Sequence, residues 1–289
     1  MNRRNFFKSI PAAALPLGLT GAPAAGAARL RSAICAYSFR EQLKNKTMSY
    51  DDIVRLAVET GIDGLDLTVY WFPNTSDEFL LPLRRLAFRN SVDLYSISVR
   101  TEMCRPTPQE QAAEVATIKG WVDAAEKLGA GHIRVFGGRV PQGATDEQAA
   151  DWCAEVLKRG GEYAGKHGVI LGLENHGGIT SRAERIIQIV KKVDSPWVAV
   201  NLDTGNFNSD PWTQIEMCIP HAVNVQVKAE MRGPDGKKAA GDWERVTRML
   251  VKGGYRGYLA LEYEAAEPAP TAVPRLVRQL HALTRKYSA

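Results

Sequence analysis

No G-x-G-x-x-G or Walker-type glycine run follows the first apolar segment of this 289-residue chain, so a nucleotide cofactor has no support. Cysteine is sparse. Cys35, Cys104, Cys153 and Cys218 are scattered without C-x-x-C or zinc-ligand spacing, which removes a redox motif and a structural zinc from consideration. They read as small, mostly buried apolar side chains, and the sequence alone cannot pair any of them into a disulfide. Histidine is scarce as well, with five in all. Blocks of like charge are missing, and Lys237 with Lys238 sits in a glycine-rich turn that reads as solvated loop. The formal net charge is +5, but Arg3, Arg4 and Lys8 lie in a leading segment that holds no acid. The basic balance therefore says little about nucleic acid, and none is expected as a partner.

With 45% hydrophobic and 24% charged positions, the chain can bury one sizeable core and is too short for two large barrels. At its start, Arg3-Arg4-Asn5-Phe6-Phe7-Lys8 precedes an uncharged Ala/Leu/Pro/Gly stretch through Ala28, which resembles a twin-arginine export signal. Ala25 and Ala27 form an A-x-A site, so cleavage after Ala27 is expected, with a periplasmic or secreted destination. A stable membrane anchor is not expected, because Pro11, Pro16 and Pro23 interrupt the roughly 20-residue apolar helix that spanning requires. Such export carries proteins already folded, often with a cofactor loaded in the cytoplasm.

From residue 33 onward, short apolar or β-branched runs alternate with longer amphipathic segments, the pattern of repeated βα units around a parallel sheet. Strands are expected at Ala33 to Phe39, Gly64 to Tyr70, Asp93 to Arg100, His132 to Gly137, Val169 to Asn175, Val198 to Asp203, Ala222 to Lys228 and Tyr258 to Tyr263. Helices are expected at Asp51 to Thr60, Glu78 to Asn90, Pro108 to Leu128, Asp146 to His167, Ser181 to Val193, Pro211 to Cys218, Asp242 to Lys252 and Thr271 to Tyr287. Ser49, Ser76 and Thr107 are placed to cap the first three. Glycines 61, 129, 168 and 253 fall just past helix ends, where a left-handed backbone suits them. Eight units in roughly 260 residues match a (β/α)8 TIM barrel. The expected organisation is a signal over 1–27 and a single barrel domain over 28–289.

In such a barrel the chemistry gathers at the carboxyl ends of the strands. Strand five ends in Leu-Glu174-Asn175-His176-Gly-Gly, and strand six in Asn201-Leu202-Asp203-Thr204-Gly205-Asn206. Strand seven reads Asn224-Val-Gln226-Val-Lys228, and strand eight Leu-Glu262-Tyr-Glu264. A side-chain period of two places these polar groups on the inward faces of four consecutive strands, where an acid is costly without a partner.

In this order, the E-N-H-G-G, N-L-D-T-G-N, V-Q-V-K and L-E-Y-E segments resemble the xylose-isomerase-like TIM barrels, a group that includes ketose 3-epimerases and hydroxypyruvate isomerase. The resemblance covers nearly the whole chain after the signal. It implies Glu174, Asp203, Gln226 and Glu262 as metal ligands, with Glu174 and Glu262 doubling as the acid/base pair. Two positions depart from the ketose 3-epimerase branch: Gln226 stands where that branch has His, as in the hydroxypyruvate-isomerase-like branch, and Asn206 stands where epimerases commonly place His. An all-oxygen ligand set favours manganese or magnesium over zinc; manganese is the first choice, and cobalt is a further alternative. A competing reading pairs the strand-end acids with Arg100 or Lys228 in an ion network.

His176 can donate to a substrate oxygen or be a hydrogen-bonded loop residue. Lys228 and Arg100 can hold substrate hydroxyls or an acidic group, or snorkel at the rim. Tyr37, Tyr70, Trp71 and Phe136 can stack on a sugar face or pack in the core. The implied reaction is enediolate formation from a hydroxy-ketone, with proton return giving isomerisation or epimerisation. Elimination from a keto-glycoside at the same site is the alternative. An endonuclease-IV-like role would need a zinc-binding histidine cluster, for which five histidines with only His176 beside an expected ligand are a poor basis. The implied partner is a small carbohydrate or keto-sugar. The family's frequent dimers and tetramers raise a homo-oligomer, although no segment marks an interface.

Overall fold

The computed structural model describes residues 29–233 and 236–288; the expected export signal over 1–27 lies outside the described residues. In chain order the strands are β1 (Leu30–Cys35), β2 (Gly64–Thr68), β3 (Asp93–Ser98), β4 (His132–Phe136), β5 (Ile170–Glu174), β6 (Val198–Asp203), β7 (Ala222–Lys228), β8 (Glu230–Arg232), β9 (Lys238–Ala240) and β10 (Gly257–Glu262). Eight of them close a barrel in the order β1-β10-β7-β6-β5-β4-β3-β2, every pair parallel, while β8 and β9 form a separate antiparallel ribbon. The helices are α1 (Arg40–Lys44), α2 (Tyr50–Thr60), α3 (Asp77–Arg89), α4 (Pro108–Leu128), α5 (Asp146–Lys166), α6 (Ala183–Val193), α7 (Pro211–Cys218), α8 (Trp243–Lys252) and α9 (Ala269–Tyr287). The described residues thus form the expected single barrel. Among them no helix is long and apolar enough to cross a membrane.

Local chemistry explains where the elements begin and end. Ser49 and Thr107 close reciprocal capping boxes with Asp52 and Glu110 at the starts of α2 and α4. Ser76 precedes α3 as expected but makes no capping bond. Gly61, Gly129 and Gly168 adopt positive φ, whereas Gly253 is at −79° and the left-handed turn falls on Gly254. The first strand starts and stops earlier than expected because Ala36–Phe39 curls into a 3-10 turn. There the Ser38 hydroxyl donates to the Leu261 carbonyl and accepts from the Tyr263 amide, pinning the turn to the end of β10. The β8–β9 ribbon was not anticipated, since two three-residue strands leave no periodic signal.

Alternation along each strand divides the barrel into two environments. On β4, Ile133 and Val135 are fully buried among the apolar residues beneath the helices, while His132 and Arg134 face the lumen. Lumen positions are polar to an unusual degree: Asp66, Ser96, Ser98, Asn201, Asn224 and Gln226 are all 0% exposed. They satisfy one another in a chain of bonds, from Tyr95 to Asn224, Asn224 to Asn201, Asn201 to Gln226 and Gln226 to Asp66, at 2.8–3.1 Å. Asp66 also accepts from Ser96 and Ser98. Because the links from Asn224 through Asn201 and Gln226 to Asp66 are buried, such a network holds the strands in a single register.

Gly172 on β5 makes room for this interior: a Cβ there would meet His132 Nε2 at 2.2 Å and Asn201 Cβ at 3.1 Å. Gly172→Ala is expected to cost about 1–3 kcal/mol through this overpacking, read as a fall in the urea midpoint. An unchanged midpoint would show that the lumen has slack.

Candidate active site at the barrel mouth

The carboxyl ends of β4, β5, β6, β7 and β10 converge on a small mouth of about 80 Å³, lined by Tyr37, Tyr70, Arg134, Glu174, Lys228 and Glu262 among others. Its walls carry two buried ion clusters. In one, Arg134 Nε lies 2.9 Å from Glu174 Oε2, with both side chains 3% exposed. The same guanidinium donates to the Tyr70 hydroxyl and the Val99 carbonyl and lies over the Phe136 ring. In the other, Lys228 Nζ stands 3.3 Å from Asp203 Oδ2 and 3.4 Å from Glu262 Oε2, and also bonds Glu264.

These pairings set the protonation tendencies. Burial works to raise the Glu174 carboxyl, but Arg134, with His176 assisting, overrides it and holds the group below the usual carboxylate range. Burial raises Glu262, against the pull of Lys228, and the negative charge of Glu174 raises it further. Asp203 is driven well up by burial, with Lys228 opposing and Glu262 and Glu174 adding. Burial alone would depress Lys228, yet its three carboxylates hold the ammonium well above its ordinary value. The two glutamates of one mouth are therefore shifted in opposite directions, Glu174 down and Glu262 up, and such a divergence is what separates acid from base roles.

The other sequence candidates take distinct places. His176 Nδ1 is 2.7 Å from Glu174 Oε1, with its half-exposed ring stacked on Phe136. Asn206 donates to the same Glu174 oxygen at 3.0 Å. Tyr37 lines the mouth and stacks on Trp71. Arg100 is exposed and lies over the Tyr70 ring instead of pairing with a strand-end acid. Arg134 does the pairing in its place. It escaped the sequence reading, although its alternation with Ile133 and Val135 on β4 was a usable signal. Gln226 sits two residues deeper on β7, where its Oε1 accepts from Asn201 and its Nε2 donates to Asp66. The four cysteines are buried and free.

The donor chemistry suits a hard divalent cation in one respect: Glu174 Oε2, Asp203 Oδ2 and Glu262 Oε2 are buried and lack hydrogen-bond partners. Among the described residues, no group of three or more His, Cys, Asp or Glu is spaced to hold a metal. Lys228 is the cation that Asp203 and Glu262 share in this arrangement, and the Gln226 amide is committed elsewhere. The three carboxylates thus fit a metal by chemistry, and Gln226 fits one only with its amide turned.

Arg134→Met leaves Glu174 buried without its counter-charge, and a loss of about 3–5 kcal/mol at neutral pH is expected by chemical denaturation. Loss of less than 1 kcal/mol would mean that the pair contributes little. His132 supplies a pH effect. Its Nδ1 meets the Ser96 hydroxyl at 2.8 Å and its Nε2 has no partner; burial, then the charge of Arg134, pushes its pKa down to about 3. Between the unfolded value near 6.5 and 3, only the unfolded chain takes the proton, so stability falls as pH falls, by about 3 kcal/mol at pH 4.5. His132→Gln should flatten the acid limb of the stability curve in that window. An unaltered slope would assign the acid limb to the carboxylates.

No curated protein matches the sequence. Among solved structures, D-psicose 3-epimerase from Clostridium cellulolyticum H10, determined with D-tagatose, superposes with a TM-score of 0.73 at 16% identity, covering 89% of this chain and 99% of its own. The IolI protein, determined with a bound zinc atom, gives 0.71 at 15% identity, covering 90% and 99%. A probable 3-DHS dehydratase from Bacillus anthracis gives 0.65 at 16%, covering 88% and 97%. At such identities the likeness is one of fold. The family model described as xylose isomerase-like TIM barrel matches residues 54–286, which is most of the chain, and the protein belongs to that family.

Proposed function

We propose that the protein is a sugar isomerase or epimerase that moves a proton between Glu174 and Glu262 through an enediolate. The reading is carried by one observation: two buried carboxyls share the barrel mouth, with Arg134 holding Glu174 below the usual carboxylate range and burial raising Glu262. Glu174 takes the proton from the carbon beside the substrate carbonyl. His176 and Asn206, both bonded to Glu174 Oε1, aim the carboxylate and leave Oε2 toward Arg134. Negative charge then grows on the substrate oxygens, where Lys228 and Arg134 are already in place as fixed cations that need no reorganisation. Glu262 returns a proton from its own wall of the mouth. Delivery to the opposite face of the same carbon gives an epimer, and delivery to the neighbouring carbon gives an isomer.

The carboxylates of Glu174, Asp203 and Glu262 would hold a divalent cation, manganese ahead of magnesium or cobalt, which supplies Lewis-acid polarisation of adjacent substrate oxygens. Gln226 would complete the set once its amide turned from Asn201 and Asp66. The family's epimerase members, such as the D-psicose 3-epimerase above, support the carbohydrate assignment. A second reading, elimination from a keto-glycoside after the same proton abstraction, gains from a cleft of about 710 Å³ beside the mouth that gives a departing group room. The Arg3-Arg4 segment supports export of the folded enzyme to the periplasm.

The test is solvent deuterium uptake into a panel of ketoses and keto-glycosides, with metal analysis of the protein as isolated. Glu174→Gln and Glu262→Gln are each expected to lower exchange about 10²–10⁴-fold with circular dichroism unchanged. Chelation should abolish exchange and manganese restore it. Undiminished exchange in both variants would refute the assignment, and release of an aglycone would select elimination.

A further inference from the structure

The mouth, of about 80 Å³, is one part of a wider concave region at the strand ends. Directly beside it lies the cleft of about 710 Å³ along the ends of β3, β4 and β5. The two spaces adjoin, because Arg100, Phe136 and His176 line both. The boundary between them is the Phe136–His176 stack, with ring centroids 4.0 Å apart. A ligand reaching from one space to the other crosses that apolar edge beside the ring that touches Glu174.

The cleft has an uneven charge. Arg100, Arg105 and Arg139 line it, against Glu102 and Glu114. Both acids are engaged within the wall: Glu114 accepts from the Glu102 amide and faces Arg105 at 3.5 Å, and Glu102 accepts from the Arg139 amide at 2.8 Å. Gly138 allows that last contact, since a Cβ there would fall 1.6 Å from Glu102 Oε1. The guanidinium of Arg139 is exposed and enters no ion pair among the described residues, and that of Arg100 lies on Tyr70 without a carboxylate. Two cations lining one open cleft, with the neighbouring acids already held, suit an anion that arrives with the ligand.

We propose that this cleft is a second subsite that takes the anionic distal part of the substrate, a carboxylate or a phosphoryl group carried on a sugar, held between Arg100 and Arg139. The proposal rests on the mouth being where the substrate reacts, and it gives that substrate a class: an acidic carbohydrate laid across Phe136 and His176. Nothing covalent occurs in the cleft; it contributes binding and direction, and it sets which end of the molecule enters the mouth.

The test is calorimetric titration of the full chain with D-glucuronate, glucose 6-phosphate and uncharged glucose, at low and high salt, repeated on Arg139→Ala. At least one charged sugar should bind tenfold or more tighter than glucose, and salt and Arg139→Ala should both erase the advantage. Preference for glucuronate identifies the carboxylate as the source, and preference for glucose 6-phosphate the phosphoryl group. Equal affinity for charged and neutral sugars, no binding of any of them, or an advantage untouched by Arg139→Ala overturns the proposal. Glu174→Gln separates it from the reaction assignment, since that variant should lose deuterium exchange and keep the charge preference. A charge preference in a protein that exchanges no deuterium would leave the cleft assigned and the reaction reading refuted.

Discussion

Placing four carboxyls, two strong cations and a set of amides inside one barrel is costly, and the arrangement of Arg134 and Lys228 is what makes it tolerable. Each ion removed from water costs several kcal/mol even after relaxation, and it is recovered only where an opposite charge stands in good geometry. Arg134 answers Glu174, while Lys228 answers Asp203, Glu262 and Glu264. The two cations are shared out unequally. Burial raises Glu262 and Asp203 against the pull of Lys228, while Arg134 holds Glu174 below the usual range. The two glutamates of the mouth are thereby shifted in opposite directions.

Beneath the ions, the lumen is built to support them. The chain of amides from Tyr95 through Asn224, Asn201 and Gln226 to Asp66 occupies the layer where many barrels place branched aliphatic residues. A polar layer of this kind fixes strand register, since a slip of one residue would leave several buried donors and acceptors without partners. It also accounts for Gln226. The resemblance to the family marks it as a ligand, and in this arrangement its amide is the link between Asn201 and Asp66.

Much of this was legible in the sequence, and the omissions have physical causes. Strong alternation in β6 and β7, bounded by turns, made their limits readable to the residue. The first strand was misplaced because Ala36 to Phe39 is apolar enough to extend it, and only the bonds of Ser38 to Leu261 and Tyr263 show that it turns. Acids at the ends of apolar runs were conspicuous. Arg134 was not, because a cation in mid-strand reads as a surface residue until the partner that neutralises it, 40 positions away, is brought alongside. Arg100 was expected near the acids on its strand position alone, and its preference for the Tyr70 face depends on a neighbouring strand.

Sequence by itself determined the repeat of eight βα units and which strand ends carry carboxylates, because these follow from local periodicity and residue type. Tertiary structure decided which carboxylate meets which cation, how deep Gln226 lies, and that a large basic cleft opens beside a small mouth. Those properties belong to side chains remote in the chain that closure of the barrel sets a few ångströms apart, and in a space without water the energies of charge and hydrogen bonding depend on those distances.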